Sequence, residues 1–323
     1  MWVMKEKAAP LLASVSVWGP LLVQLSPDGD RLTELFLPAP ADCVWFADNQ
    51  GKVWGRRLRP RRADAMAAGA TTDLGSDAEL PGFEDLHGFD PKAKPKRGRP
   101  FWPAAALFEW LSAPTDGIEE SKVGAIGELE REIRHHVAID PSTGTAADGA
   151  LFGTEGVRMT RTRDDDGVKV FERLALMAGW TGTGELVQGV VAIGGERRTA
   201  FLATRGKQGR ELIAPPKWLG SLRRNDRARV LLCTPAIFAN GALPKSIAGA
   251  RVITARVDRP EVVSGWDFAE NAPKPTRRMA AAGSVYWVEV PDDVWAERVW
   301  CSNVSDNEQA QRDGFGLALV GVA

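Results

Sequence analysis

The sequence predicts an α+β fold in which strands outnumber helices. Short Val- and Leu-rich runs recur between Gly, Pro, Asp and Ser clusters, the mark of strands and turns. Helical spacing of apolar residues is confined to a few brief stretches. No internal repeat of fixed period is visible, although two similar α+β halves could lie below detection.

Residues 14–25 read as a strand, Ser26-Pro27-Asp28-Gly29-Asp30 as a turn, and 32–37 as the returning strand. Residues 55–100 read as a surface insertion. They hold the run Arg56, Arg57, Arg59, Arg61, Arg62, then an acidic stretch, then Lys92, Lys94, Lys96, Arg97 and Arg99 among prolines and glycines. So little apolar material predicts a mobile loop that does not pack. Residues 103–111 suit a short helix, with Pro103 in the first turn and Leu107, Phe108 and Leu111 on one face. Strands are expected at 168–180, 186–193, 229–233, 251–257, 284–290 and 316–320, and a short helix at 217–224. Asp293 is expected to cap a further helix with its carboxylate.

At 323 residues the chain has room for two ordinary domains, and a 44% hydrophobic fraction supports a real core. The net charge is -1. A strongly basic balance, the usual sign of a free-standing nucleic-acid binder, is missing, so RNA contact would rest on local patches and be reinforced by partners. Cys43, Cys233 and Cys301 are odd in number and form no CxxC pair, which argues against a disulfide framework or cysteine-rich zinc site and fits a reducing, cytoplasmic setting. The apolar stretch 8–25 is broken by Pro10 and Gly19-Pro20, which argues against a signal peptide or membrane span. Twelve Trp against one Tyr supply mostly core and interface filling.

Four stretches could carry chemistry. Residues 134–152 run from a short apolar strand through Asp140-Pro141 and a small polar loop to Ala150-Leu151-Phe152, as in a projecting hairpin or a plain surface turn. His135 and His136 are adjacent, so on a strand they point to opposite faces and make a poor catalytic pair. His87 is the third and last histidine, so neither a metal site nor a histidine-based hydrolase has much material. Gly194-Gly195-Glu196-Arg197-Arg198 is either a phosphate-facing turn or a polar hairpin tip. Pro273-Lys274-Pro275-Thr276-Arg277-Arg278-Met279 presents three cations from a stiffened loop, suited to an RNA backbone or simply solvated. Asp313-Gly314-Phe315-Gly316 leads into an apolar strand. Its glycines could let backbone N–H groups approach a phosphate, and Phe315 could stack on a base; a tight turn is the other reading. It is neither a Walker loop nor a Rossmann fingerprint.

At these stretches the sequence resembles the RAMP proteins of type III CRISPR complexes. The thumb region of that superfamily is similar to residues 134–152, through Ile139-Asp140, Thr143-Gly144-Thr145-Ala146 and Gly149-Ala150-Leu151-Phe152. Leu37-Pro38-Ala39-Pro40-Ala41-Asp42, Gly194-Gly195-Glu196-Arg197, Thr234-Pro235-Ala236-Ile237-Phe238, Lys274-Pro275-Thr276-Arg277-Arg278-Met279 and the ending from Gly314-Phe315-Gly316 to Gly321 resemble, in the same order, the third-subunit family of the Cmr (type III-B) complex. The likeness runs from about residue 15 to the C-terminus.

The resemblance implies two ferredoxin-like (RRM-like) RAMP domains, here 1–180 and 181–323, with glycine-rich loops and a thumb region at 134–158. It implies a non-catalytic subunit that grips the 5′ tag of the crRNA and caps the foot of the complex. Its partners would be the crRNA, the large polymerase-type Cmr subunit and the first backbone RAMP subunit. No cofactor, metal, small-molecule substrate or membrane is implied. The thumb would lie across the RNA near the tag–guide junction and displace a base. RNA-binding positions would be Arg134, His136, Ile139, Thr143, Thr145 and Phe152 in the thumb, Arg197 and Arg198, then Lys274, Arg277 and Arg278, and Gly314, Phe315 and Gly316. Family members open with a strand, a glycine loop and a helix that have no match in the first fourteen residues, so the first domain is expected to be incomplete, with an unpaired sheet edge. The insertion at 55–100 also departs from the family pattern. The alternatives are a RAMP-type endoribonuclease with His135 or His136 as general base, and an unrelated small-molecule enzyme.

Overall fold

The computed structural model describes residues 14–62, 79–83, 93–112, 115, 117–124, 126, 129–165, 167–182, 187–193, 198–206, 208–267 and 271–323. In chain order the first half holds β1 (Ser16–Leu25), β2 (Leu32–Pro38), β3 (Cys43–Ala47), β4 (Val53–Arg57), β5 (Arg59–Arg62), β6 (Glu79–Gly82), β7 (Phe101–Pro103), α1 (Ala104–Ser112), β8 (Gly117–Glu119), β9 (Arg131–Ile139), β10 (Ala146–Val157), β11 (Thr160–Asp165) and β12 (Val168–Thr181). The second half holds β13 (Gly189–Ile193), β14 (Arg198–Leu202), α2 (Gln208–Leu212), β15 (Arg227–Leu232), β16 (Ser246–Ile247), β17 (Ala250–Arg256), β18 (Glu261–Val263), β19 (Trp266–Asp267), β20 (Ala272–Pro273), β21 (Arg277–Met279), β22 (Val285–Glu289), α3 (Trp295–Val299), β23 (Ser302–Asn303), α4 (Glu308–Arg312) and β24 (Leu317–Val322). Antiparallel sheet dominates, with few helices, as an α+β fold requires.

The turn at 26–31 closes the first hairpin because Asp28 accepts bonds from the Ser26 hydroxyl and from Asp30 N–H. Leu22 then pairs with Phe36 and Val23 with Leu35. The first large sheet has the order β11-β12-β1-β2-β7 among the described residues, so β1 is flanked on both sides and β11 and β7 form the edges. β1 is therefore not an unpaired edge, and residues 1–13, where the first domain was expected to be incomplete, lie outside the described residues.

The second large sheet has the order β16-β17-β22-β15-β24-β23. Its four longest strands run β24-β15-β22-β17, each antiparallel to its neighbours. In β15, Ala228, Val230, Leu231 and Leu232 are all fully buried, as expected of a central strand covered on both faces. One apolar core extends through both sheets, from Leu21, Val23, Leu35 and Leu37 to Val230, Tyr286, Trp287 and Leu319. Helix α1 joins them. Ala106, Leu107, Trp110 and Leu111 are buried, while Phe108 lies against Trp300 with ring centroids 5.4 Å apart. Gly321 of β24 lets the helix approach, because a Cβ there would lie 2.7 Å from a Leu111 methyl. Trp102 packs edge-on against both Trp45 and Trp110, at 5.9 and 5.8 Å.

Two expectations need correction. The described parts of the 55–100 insertion do pack. Arg57 and Leu58 are buried, β5 pairs with β6, and Glu79 takes a bidentate ion pair from Arg227 at 2.7 Å per bond. Gly98 sits against the Trp45 indole, where a Cβ would be 2.0 Å from Nε1. Apolar residue count missed this because arginine stems and strand ladders bury surface too. Residues 63–78 and 84–92 lie outside the described residues. The second correction concerns Asp293. Helix α3 begins after Val294 with no side-chain cap; Asp292 Oδ1 accepts from Val294 N–H at 3.1 Å and the Asp292 carbonyl accepts from Trp295 N–H at 3.3 Å. Asp293 instead accepts from Arg224 N–H at 2.8 Å, tying the helix to the turn before β15.

Candidate nucleic-acid interface

β9 and β10 form a hairpin whose side chains are largely exposed on both faces. Register places Ile133, His135, Val137 and Leu151 on one face and Glu132, Arg134, His136, Phe152 and Thr154 on the other. The first face carries an apolar stripe, with Leu151 at 72% exposure and Ile133 at 64%. A solvated apolar stripe of this kind is unusual on a protein surface. On the second face His136 stacks on Phe152, centroids 5.2 Å apart and planes 19° apart, and its Nε2 meets Thr154 Oγ1 at 2.8 Å. The two histidines do point to opposite faces, as the strand period requires.

The hairpin's tip is held by Asp140, which accepts from Ser142 N–H at 2.8 Å and from the Ser142 hydroxyl at 2.7 Å. The Ser142 hydroxyl, then its backbone N–H, hold the Asp140 carboxyl below its usual range. Thr143 and Thr145 share a hydroxyl contact at 2.8 Å beside exposed Ile139. Arg134 does not stand alone: its Nε bonds Glu132 at 2.6 Å, which lowers the Glu132 pKa and raises that of Arg134. Arg131 pairs with Glu155 at 2.7 Å and Arg158 with Glu130 at 2.9 Å. These acid–base pairs were not foreseen from the sequence; the alternating Glu and Arg of residues 130–134 was the available signal.

Of the glycine-arginine stretch, Gly194 to Arg197 lie outside the described residues, and Arg198 opens β14. Lys274, Arg277 and Arg278 are exposed as expected. They are carried by a thin arm in which Arg278 pairs with Val262 and Arg277 with Val263, closed by a bond from Lys274 N–H to Gly265 O at 2.7 Å.

The loop Gly314-Phe315-Gly316 departs from expectation. Its two glycines are buried and Phe315 half-buried. Every backbone N–H is spent inside the protein: Gly314 on Gln311 O at 3.2 Å, Phe315 on Ala310 O at 3.0 Å, Gly316 on Pro235 O at 2.8 Å. Thr234 Oγ1 donates to Gly314 O and accepts from Leu317 N–H, both at 2.8 Å. Both glycines have left-handed φ, +91° and +86°. A Cβ at Gly314 would lie 2.9 Å from Gly19 O of β1. The loop is thus a joint between the two sheets rather than a set of N–H groups open to phosphate. The tight-turn reading is the one the hydrogen bonds support.

A second joint was missed altogether. Asp42 and Arg229 are fully buried and paired at 2.5 Å. Trp110 Nε1 donates to the other Asp42 oxygen at 3.0 Å, and Arg229 donates to Trp110 O and Val322 O, each at 2.7 Å. Arg57 also donates to Trp110 O and covers its ring at 4.1 Å. Burial, then the charge of Arg229, push the Arg57 pKa below the ordinary arginine range. The available signal was an arginine within the apolar run of β15.

No helix among the described residues is long and apolar enough to cross a membrane, and no cluster of His, Cys, Asp or Glu among them could hold a metal. A family model described as "CRISPR-associated protein (Cas_Cmr3)" matches residues 3–323. The chain belongs to the Cas_Cmr3 family. That is the third-subunit family of the Cmr complex to which the ordered motifs pointed. This Cas_Cmr3 member is similar to a chain in a cryo-EM structure of the Type III-B Cmr-beta bound to cognate target RNA and AMPPnP, state 1. The identity is 11%, over 88% of this chain and 72% of that one, with a TM-score of 0.39. It is also similar to a chain of Type III-B Cmr-beta bound to cognate target RNA, at 12% identity over 84% of this chain and 86% of that one, with a TM-score of 0.33. No curated protein matches it.

Proposed function

We propose that this Cas_Cmr3 chain is a non-catalytic crRNA-binding subunit of a type III-B effector complex that grips the 5′ tag of the guide. The observation that carries the reading is the exposed β9–β10 hairpin, which presents a His136–Phe152 stack beside Arg134 in a Cas_Cmr3 family member whose residues 134–152 resemble the RAMP thumb. An aromatic stack on a protruding hairpin suits a splayed-out base, since single-stranded RNA is held by stacking and backbone contacts. The arm bearing Lys274, Arg277 and Arg278 adds exposed cations for phosphate. Guide sequence would go unread, because base pairing carries that information.

The strand order β24-β15-β22-β17 supports a ferredoxin-like second half, with α3 and α4 filling the connection between β22 and β24. A loop, rather than a helix, fills the corresponding connection between β15 and β17. The apolar stripe Ile133, Val137, Leu151 supports cover by a neighbouring subunit, either the large polymerase-type one or the first backbone RAMP subunit. The opposed directions of His135 and His136 count against the two acting as a catalytic pair.

The test is fluorescence anisotropy with single-stranded RNA carrying the host repeat's 5′ tag, against RNA with a scrambled 5′ end. The tagged RNA binds more tightly, and changing Arg277 and Arg278 together to Ala weakens it and lowers the salt slope by roughly 0.7 per lost phosphate contact. Equal affinity for the two RNAs sinks the tag assignment. Metal-independent cutting of precursor RNA, abolished by His135→Ala or His136→Ala, sinks the non-catalytic one.

A further inference from the structure

Residues 94–100 read Lys-Pro-Lys-Arg-Gly-Arg-Pro, with no acidic residue among them. Pro95 and Pro100 fix their own φ and push the residue before each toward extended backbone, so the segment does not coil. Its contacts then pin it beside β3. Lys96 N–H donates to Trp45 O at 2.8 Å, and Pro100 O accepts from Ala39 N–H at 2.9 Å. Arg99 Nε pairs with Glu120 at 3.3 Å. Gly98 lies on the Trp45 indole, where a Cβ would be 2.0 Å from Nε1 and 2.2 Å from Cδ1. That indole has little room to yield. It is 4% exposed, it meets Trp102 edge-on, and a Cβ at Gly55 of β4 would already be 3.2 Å from its far edge. The cavity beside the segment, lined by Lys52, Arg99, Glu119 and Glu120 among others, balances each cation with a carboxylate and is no seat for an anion. The spare charge lies on the segment itself. Lys94, Lys96 and Arg97 are exposed, and neither Lys94 nor Lys96 has an ion pair among the described residues.

We propose that residues 94–100 are a pre-ordered cationic strap that binds the sugar–phosphate backbone of single-stranded RNA without reading its sequence, with Lys94 and Lys96 as the phosphate contacts and the Gly98–Trp45 seat holding them in line. This rests on the RNA-binding reading above and adds a contact within the 55–100 insertion, which departs from the family pattern. In extended backbone, residues two apart share a side and lie about 6.6 Å apart, so both ammonium groups can follow one strand. Lysine meets phosphate as a point charge and uses no base edge, so the contact is blind to sequence. A strap ordered before binding avoids the entropy that a loose lysine tail loses on binding. Apart from its prolines the segment carries no apolar side chain. Protein interface cores are rich in aromatics and poor in lysine, so an acidic protein surface is the less suited occupant.

The experiment uses the full chain and two single-stranded RNAs of equal length, one with the 5′ tag and one with a scrambled 5′ end. Binding is followed by anisotropy against salt. Lys94→Gln with Lys96→Gln weakens both RNAs alike, about tenfold at low salt, and lowers the slope by about 1.4, the sum of two phosphate contacts. Lys217→Gln with Lys245→Gln, the same charge change on exposed lysines elsewhere, leaves the slope as in wild type. An unchanged slope in the Lys94–Lys96 variant overturns the strap as an RNA contact. A loss confined to the tagged RNA overturns its blindness to sequence. Unaltered RNA binding with lost capture of a purified neighbouring Cmr subunit assigns the strap to a protein and overturns the proposal. The seat is read without RNA, by mass-mapped trypsin cutting after Lys96 and Arg97. In Gly98→Ala, which keeps every charge, cutting at these two bonds quickens about tenfold while other sites are cut as in wild type. No change, or faster cutting at every site, overturns the seat. A lowered slope with equal affinity for the two RNAs leaves the strap standing and removes the tag assignment. Tag preference with an unchanged slope removes the strap alone, and a wild-type chain that binds neither RNA removes both.

Discussion

Arg229 of β15 and Asp42, 187 residues apart in sequence, form a fully buried ion pair at the junction of the two sheets. Asp42 is the carboxylate that faces both Arg229 and Arg57 in the electrostatics of this site. Removing one partner of a buried pair leaves an uncompensated charge, which costs about 3–5 kcal/mol. Asp42→Ala should destabilise the chain by that amount in urea unfolding. Arg57→Met should cost clearly less, since it removes a cation that Arg229 repels and keeps an aliphatic stem over Trp110. Equal losses in the two variants would contradict the surplus-charge account.

Gly314 and Gly316 report on stability rather than on RNA. Alanine at either must adopt a left-handed φ and place a Cβ 2.9 Å from Gly19 O or 2.8 Å from Ser305 N. Each substitution should cost about 1–3 kcal/mol. RNA affinity, measured well below the unfolding temperature, should be unchanged. A lost affinity in a chain that melts like wild type would restore the phosphate-loop reading.

Phe152→Ala tests the stack. Phe152 is 52% exposed, so the melting temperature should move little. If the ring receives a base, RNA affinity falls by about 1–3 kcal/mol. Phe152→Tyr, which keeps the ring, should restore it.

Alkaline pH should weaken the fold. Burial holds the thiols of Cys43 and Cys233 well above their ordinary range, that of Cys301 up to about 12, and the Tyr286 hydroxyl high as well. Above the ordinary thiol value of 9.0 the unfolded chain loses these protons while the folded chain keeps them. The folded state then binds more protons, so unfolding free energy falls as pH rises from about 9 toward 12. Below 9 this stability is fully present. Unfolding at pH 8, 9 and 10 checks the sign, and the native chain should resist thiol reagents at pH 8.

The strands read at 14–25, 32–37 and 316–320 were legible because each declares itself locally, whereas β5 and β6, inside the stretch read as a loop, were not. Val- and Leu-rich runs such as residues 14–25 and 316–320 lie between turn formers, and the period-two rule alone placed His135 and His136 on opposite faces. The β9–β10 hairpin was legible in the same way, as an apolar strand, an Asp-Pro tip and a return. Arg57 was misread because a run of arginines looks solvated until a neighbour such as Trp110 is known to receive it.

Residue order by itself determined where strands begin and turn, and which short motifs stand in the family's order, since both depend on neighbours along the chain. The tertiary structure alone decided that Gly314 and Gly316 are a joint, that Asp42 meets Arg229, and that Gly98 rests on Trp45. Those facts depend on where a carbonyl, a charge or an empty Cβ site is met across the fold. Hydrogen bonding and desolvation act over a few ångströms of space, whatever the separation in sequence.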